Sequence, residues 1–252
     1  MKNTRFGGQM VTKCKSCPLR SRPVFAPMNA NEISFMQCFK SGELDIDAGA
    51  TLMQEGSSSP QLFTALSGMG LRYKTLESGE RQVINFILPG DFIGLQAGVM
   101  QEMGHSVDAT TRMTLCVFDR KDLWRLFRDH PERAFDLTWL SAVEEHLLGE
   151  SLAVLGRMDG IERVARAFVM LFDRASAVGL TQTPSMPLPY KQQDLADALG
   201  LSLVHTNKTL KKLRDLGLAN WRNSHLDILD YAELCRIALL EPDHPVPRRP
   251  LI

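Results

Sequence analysis

The sequence predicts an α+β chain in three successive parts: an antiparallel β-roll, a long helix and a winged helix-turn-helix. Three observations predict it. Between Leu44 and about Val117, short alternating apolar runs are separated by turn residues, among them Gly49, Gly56, Gly68, Gly70, Gly79, Gly90 and Gly94. Closely spaced strands punctuated in this way indicate a sandwich or roll. From about Glu132 to Met158, Leu140, Val143, Leu147, Val154 and Met158 recur near a three-four spacing, an apolar seam longer than one small roll covers. From Lys191 to Trp221 the pattern is two short helices about a tight turn, the arrangement of a helix-turn-helix.

The expected domains are a Cys-containing segment over 1–27, the roll over 28–120, a short helix and the long helix over 121–158, the winged helix-turn-helix over 159–240, and a disordered tail over 241–252. Residues 1–13 are polar and expected to be weakly ordered. Asn29 is a candidate cap for a short helix carrying Ile33, Met36 and Phe39. Glu77-Ser78-Gly79-Glu80 reads as a hairpin tip between Leu71–Thr75 and Arg81–Leu88. No strand-to-helix phosphate loop follows the glycines, so they are read as turn formers. Lys121–His130 reads as a short helix ended by Pro131, and Ile161–Ala177 as a further amphipathic helix. Residues 178–190, with Pro184, Pro187 and Pro189, read as an extended connection. The four prolines of EPDHPVPRRPLI are the basis for the disordered tail.

Within the helix-turn-helix, Leu195 and Leu199 share one face of the first helix. Gly200 suits the left-handed residue that ends it, and Ser202 is a good cap for the second. Leu203–Leu216 is expected to bury Leu210 and Leu213. Its exposed side offers His205, Asn207, Lys208, Lys211 and Lys212, which are cationic or hydrogen-bonding groups suited to base edges near the helix start and phosphates further along. Gly217-Leu218-Ala219, the polar stretch 220–225 and Leu226-Asp227-Ile228-Leu229 read as two short strands around a polar turn, the wing of a winged helix.

Length and composition place limits on the rest. The chain's 252 residues hold one large or two ordinary domains. Lys+Arg and Asp+Glu balance at 29 each, so no global basic character marks nucleic acid. Locally, between 191 and 222, six Lys/Arg (191, 208, 211, 212, 214, 222) face three Asp (194, 197, 215); this is an electrostatic footprint confined to one region. No apolar run is long enough to span a membrane. No apolar core follows Lys2 and Arg5, so no signal peptide is expected, and a cytoplasmic location with five reduced cysteines follows. The six histidines form no close pair, and no nucleophile–base constellation is legible, so catalysis is not expected.

The order of parts, together with SGxxxxYKT…SGERQ over Ser67–Gln82, PGDFIG over Pro89–Gly94 and QQDLADALGLS over 192–202, resembles the Crp/Fnr family of bacterial transcription regulators. The resemblance covers about residues 14–240. It implies a cyclic-nucleotide-binding-like β-roll, a dimerisation helix and a homodimer on a two-fold symmetric double-stranded DNA site, with RNA polymerase as a further partner. A signal at the roll or N-terminal segment would control presentation of the recognition helices. The residues expected at DNA are Gln192, Ser202, Val204, His205, Asn207, Lys208, Lys211 and Lys212. Relatives place a Glu and an Arg where this chain has Val204 and Lys208, so the half-site read is expected to differ.

The signal is the open question. Cyclic AMP is disfavoured: the family's ribose-binding Glu and phosphate-binding Arg correspond to Leu95 and His105, with Gln96 and Ser106 beside them. Fnr-type members hold a [4Fe–4S] cluster, and Cys14, Cys17 and Cys116 match three of its ligands, while Pro23, Val24 and Phe25 occupy the window of the missing one. Three readings stay open: an iron–sulfur cluster or zinc at these cysteines, a thiol redox switch, or structural cysteines with another effector. A redox- or metal-responsive module acting only through protein partners is the alternative to DNA binding.

Overall fold

The computed structural model describes residues 11–242, 244 and 246–252. The expectation of a weakly ordered start falls, for residues 1–10, outside the described residues. The chain divides into two compact units.

The first unit comprises residues 11–74, Phe86–Glu145 and Arg248–Ile252. Two 3-10 turns, Cys14–Ser16 and Pro18–Ser21, open it. Helix α1 (Ala30–Phe39) starts at Asn29, whose side chain accepts from Glu32 N while Glu32 returns a bond to Asn29 N, a reciprocal capping box. Strands β1 (Lys40–Ile46), β2 (Thr51–Met53), β3 (Gln61–Ser67), β4 (Gly70–Thr75), β5 (Arg81–Ile87) and β6 (Phe92–Ile93) follow. Helix α2 (Leu95–Met100) and strands β7 (Ser106–Ala109) and β8 (Met113–Asp119) complete the roll. One sheet has the order β1-β8-β3-β6 and the other β2-β7-β4-β5, and every recorded ladder is antiparallel. Strand β3 is buried on both faces: Phe63 and Ala65 join the roll's interior with Met113 and Leu115, whereas Leu62 joins an outer cluster with Met36, Phe39, Phe118 and Leu126. That explains its near-continuous apolar run.

A 3-10 turn (Arg120–Asp122) leads into α3 (Leu123–Asp129), shortening the helix expected over 121–130, and α4 (Pro131–Arg157) begins at once. In α4 only Arg133, Ala134 and Leu137 are buried.

The tail expectation needs correction. Residues 243 and 245 fall outside the described residues, but Arg248–Ile252 is seated in the first unit. Arg249 pairs its backbone with the strand-like stretch at Phe25, donating to Val24 O (2.8 Å) and accepting from Ala26 N (2.8 Å). Leu251 and Ile252 are each 5% exposed, and burying an aliphatic side chain contributes about 1.5–3 kcal/mol. A proline-rich composition suggested disorder, but specific partners from distant parts of the chain hold the segment.

The second unit comprises Thr75–Asn85 and His146–Pro247. Helix α5 (Gly160–Ala177) is capped by Asp159, which accepts from Ile161 N and Glu162 N, and it buries Val164, Ala165, Phe168, Val169, Leu171 and Ala175. Strand β9 (Ser185–Pro187) lies in the stretch expected to be only a connection. Helices α6 (Gln192–Leu199) and α7 (Leu203–Asp215), strands β10 (Ala219–Arg222) and β11 (His225–Ile228), and α8 (Tyr231–Ile237) follow. The small sheet has the order β10-β11-β9. Asn223 and Ser224 both have positive φ (49° and 60°), the backbone of a two-residue type I′ hairpin turn.

Candidate functional site

The turn between α6 and α7 is built as the sequence requires. Gly200 adopts the left-handed conformation (φ 61°) and ends α6, and Ser202 Oγ accepts from His205 N at 3.2 Å. The buried stripe of α7 is Thr206, Thr209 and Leu213, with Leu210 only half-buried. This corrects the expectation that Leu210 and Leu213 alone form it. Threonine is tolerated there because Thr206 Oγ1 donates to Ser202 O (3.1 Å), satisfying its hydroxyl inside the helix.

Opposite that stripe, Val204, Asn207, Lys208, Lys211 and Lys212 are exposed, with Val204 at 64%. Positions 204, 207, 208 and 211 line up at helical spacing, so two apolar-or-amide groups and two ammonium groups project together. His205 is exposed, but its imidazole lies over Gly160 at the first turn of α5, where any added Cβ would collide with the ring. Gln192 is exposed at the start of α6, and Arg222 is exposed at the wing.

Residues the sequence did not reveal brace this head. Arg163 donates to Leu155 O, Met158 O and Leu199 O (2.8–2.9 Å), tying the start of α5 to the carbonyl ends of two helices. Arg81, at the tip between β4 and β5, donates to Asp197 (2.8 Å) and Asp194 (2.5 Å) on α6. Asp194 also accepts from Lys191 N (2.8 Å). Gln82 Nε2 donates to Ala198 O. Trp221 Nε1 donates to Leu188 O (3.0 Å), and its ring meets Phe168 edge-on. Local pattern held no signal for these partners because they lie far apart in the chain.

In the first unit, Cys14, Cys17 and Cys116 line one cavity, which Thr64, Leu251 and Ile252 also line. Cys38 is exposed and Cys235 is buried in α8. Burial pushes the Cys116 thiol up to about 12, against the opposing pull of Lys40. Burial likewise raises Cys14. Lys40 has the reverse balance: burial opposes its charge, but Cys116 and Glu43 together hold its pKa above the ordinary value. Its Nζ donates to Thr12 O (2.8 Å) and to Glu43 (2.6 Å). At neutral pH Cys14 and Cys116 are thus neutral thiols beside the paired Lys40 ammonium. Among the described residues, no group of three or more His, Cys, Asp or Glu is arranged to hold a metal ion. The structure places Cys14, Cys17 and Cys116 on the wall of one cavity.

Of the four positions compared with a cyclic-nucleotide site, Gln96 and Ser106 have hydrogen-bond partners within the roll. Arg72 donates to Phe92 O (2.6 Å) and pairs with Glu144 (2.8 Å). Gln96 accepts from Gly104 N, and Ser106 Oγ accepts from Glu55 N. His105 is 8% exposed, and its pKa is lowered to about 4, by burial first and then by the Arg72 guanidinium.

A capped recognition helix with a polar outer stripe, a wing and a separate β-roll define a DNA-binding regulator with a sensor-type domain. Residues 162–237 match the Crp-like helix-turn-helix domain and residues 43–130 the cyclic nucleotide-binding domain. The chain is 30% identical over 184 residues to the nitrogen fixation regulation protein FixK of Rhizobium meliloti, covering 72% of this chain and 80% of that one. It is 27% identical over 242 residues to the transcriptional activator protein FnrL of Cereibacter sphaeroides, covering 94% and 96%. The solved structure of FixK2 from Bradyrhizobium japonicum superposes with a TM-score of 0.70 at 23% identity, over 77% of this chain and 96% of that one, and shares the fold. The chain belongs to the Crp/Fnr family and is a DNA-binding transcription regulator. FnrL is a transcriptional activator by name and FixK a regulation protein, and the family's members bind DNA and act as dimers. No helix among the described residues is long and apolar enough to cross a membrane.

Proposed function

We propose that the chain is a non-catalytic cytoplasmic homodimer that reads a two-fold symmetric DNA site through α7, and that its cysteine cavity, rather than a cyclic nucleotide, receives the signal. The observation that supports DNA reading is the exposed stripe of α7. Val204 and Asn207 lie in the first two turns, where a recognition helix meets base edges, with Lys208 beside them. Val204 offers a methyl face to thymine, and Asn207 and Lys208 offer donors. Lys211 and Lys212, a turn further along, bind phosphates, as do Gln192 and Ser202 at the helix starts. His205, turned onto α5, positions the start of α7. RNA polymerase is the further partner. The test is a mobility-shift titration at fixed salt: Lys208→Ala costs about 1–3 kcal/mol per half-site on the cognate site and leaves the oligomeric state unchanged. Unaltered affinity refutes the assignment.

An iron–sulfur cluster and zinc are the cofactor candidates at Cys14, Cys17 and Cys116. A cubane takes four thiolates and a structural zinc four ligands. The cavity has three thiols, and Cys38 faces solvent. Residues 1–10 contain no Cys, His, Asp or Glu. The donor set fits neither group, so the sensing chemistry is assigned to the thiols themselves. Protein purified without oxygen is expected to show no visible chromophore and no stoichiometric iron or zinc by metal analysis; either metal at one per chain overturns this assignment.

A further inference from the structure

We infer that the cysteine cavity is a binding site for the chain's own segment Arg248–Ile252, and that seating this segment guards the thiols. The seat is specific. Arg249 donates to Asp91 Oδ1 (2.6 Å) and Pro89 O (3.2 Å), and its guanidinium lies over the Phe25 ring at 5.1 Å. Asp91 is 8% exposed and also accepts from Leu88 N, so its carboxylate is fixed to receive the guanidinium. Gly90, with φ 89°, leaves the space that Phe25 and Arg249 occupy, and a Cβ there would collide with the Phe25 ring. Thr64 Oγ1 donates to Ile252 O at 2.6 Å, and the Ile252 side chain joins the apolar cluster of Met36, Phe39 and Phe118. Leu251 and Ile252 line the cavity alongside Cys14, Cys17 and Cys116.

Two consequences follow. The acceptor site recognises a segment with an arginine two and three residues ahead of two aliphatic side chains, the spacing of Arg249, Leu251 and Ile252. Seating of the segment and attachment of any group to the cavity thiols compete for the same space. By linkage, each weakens the other by the same factor. The inference does not depend on which DNA sequence is read.

N-ethylmaleimide labelling of the full chain, followed residue by residue by mass spectrometry, tests it. Cys38 is expected to react quickly, and Cys14 and Cys116 slowly. In the double variant Leu251→Asp, Ile252→Asp, the Cys14 and Cys116 rates rise by about tenfold or more while Cys38 is unaffected. A synthetic peptide of sequence 246–252 added to that variant restores slow labelling, which a loosened fold would not allow. Conversely, prelabelled wild-type chain is cut faster by trypsin after Arg248. Unchanged Cys14 and Cys116 rates in the variant, rapid labelling that the peptide does not reverse, or unchanged tryptic cleavage each overturn the inference.

Discussion

His105 is the residue whose chemistry makes the sharpest pH prediction. It is neutral in the fold because its pKa is lowered to about 4, whereas in the unfolded chain an imidazole titrates near 6.5. Above about pH 6.5 both states are neutral and the group has no effect on stability. As pH falls from there towards 4, the unfolded chain takes up a proton that the folded chain refuses, so stability is lost across that window and not below it. The loss is about 2 kcal/mol after allowing for residual solvation of the ring. Arg72 and Lys74 oppose the charge and Glu55 favours it. His105→Gln should therefore flatten the difference between the urea midpoints at pH 7 and pH 5, and an unchanged difference counts against the assignment. At DNA, Lys211→Ala and Lys212→Ala should weaken binding evenly across sequences. Each should lower the slope of log affinity against log salt by about 0.9 for every phosphate that the lysine neutralises, in contrast to the sequence-dependent loss at Lys208. The sequence already marked Leu95 and His105 as departures from a nucleotide site. It did not indicate the Arg72–Glu144 pair, because the two residues stand far apart in the chain and meet only in the fold.

Helix α6 is eight residues long, too short to be stable by itself, so its position depends on external partners. Arg81 supplies one of them through Asp194 and Asp197, whose side chains are 7% and 13% exposed. Arg81→Ala leaves both carboxylates without that cation. It should destabilise the second unit by about 1–3 kcal/mol, read as an earlier thermal transition in which the first unit's transition is unmoved. Coincident transitions shifted together would show that the pair is not local to this unit. Elements of this kind divide by what the chain could announce. Helix starts and stops were legible, because Asn29, Ser202 and Gly200 act on neighbours within a few residues. Strand β9 was not. It has only three residues and contains Pro187, and its strand character comes from pairing with β11, which fixes Leu226 opposite Met186. It is an edge strand, where proline is tolerated. The seat of Arg248–Ile252 was missed for the same reason in stronger form: its partners, Val24, Thr64, Asp91 and Arg133, are remote in sequence.

At the scale of the whole molecule, the succession of roll, long helix and winged head was legible because each part imposes its own period: two in the strands, near three and a half along α4, and short capped helices in the head. The greater part of α4, beyond Leu137, contributes no buried residue within one chain. Leu148 is 52% exposed and Leu152 73%, with Leu140, Val143 and Leu147 half-buried beside them. A single helix gains nothing from such a seam in water, whereas two copies packed about a two-fold axis bury it on both. The family's dimeric habit thus has a physical basis in this chain. Leu148→Glu with Leu152→Glu places charges on the seam without touching a residue buried in either unit. The double variant should sediment as a monomer at concentrations where the wild type is a dimer. It should also lose affinity for the two-fold DNA site by about 10²-fold or more, because the second head no longer binds at high effective concentration. Its affinity for an isolated half-site should stay the same. A variant that remains dimeric would place the interface elsewhere, and a monomer that keeps full affinity for the two-fold site would mean that each head binds independently.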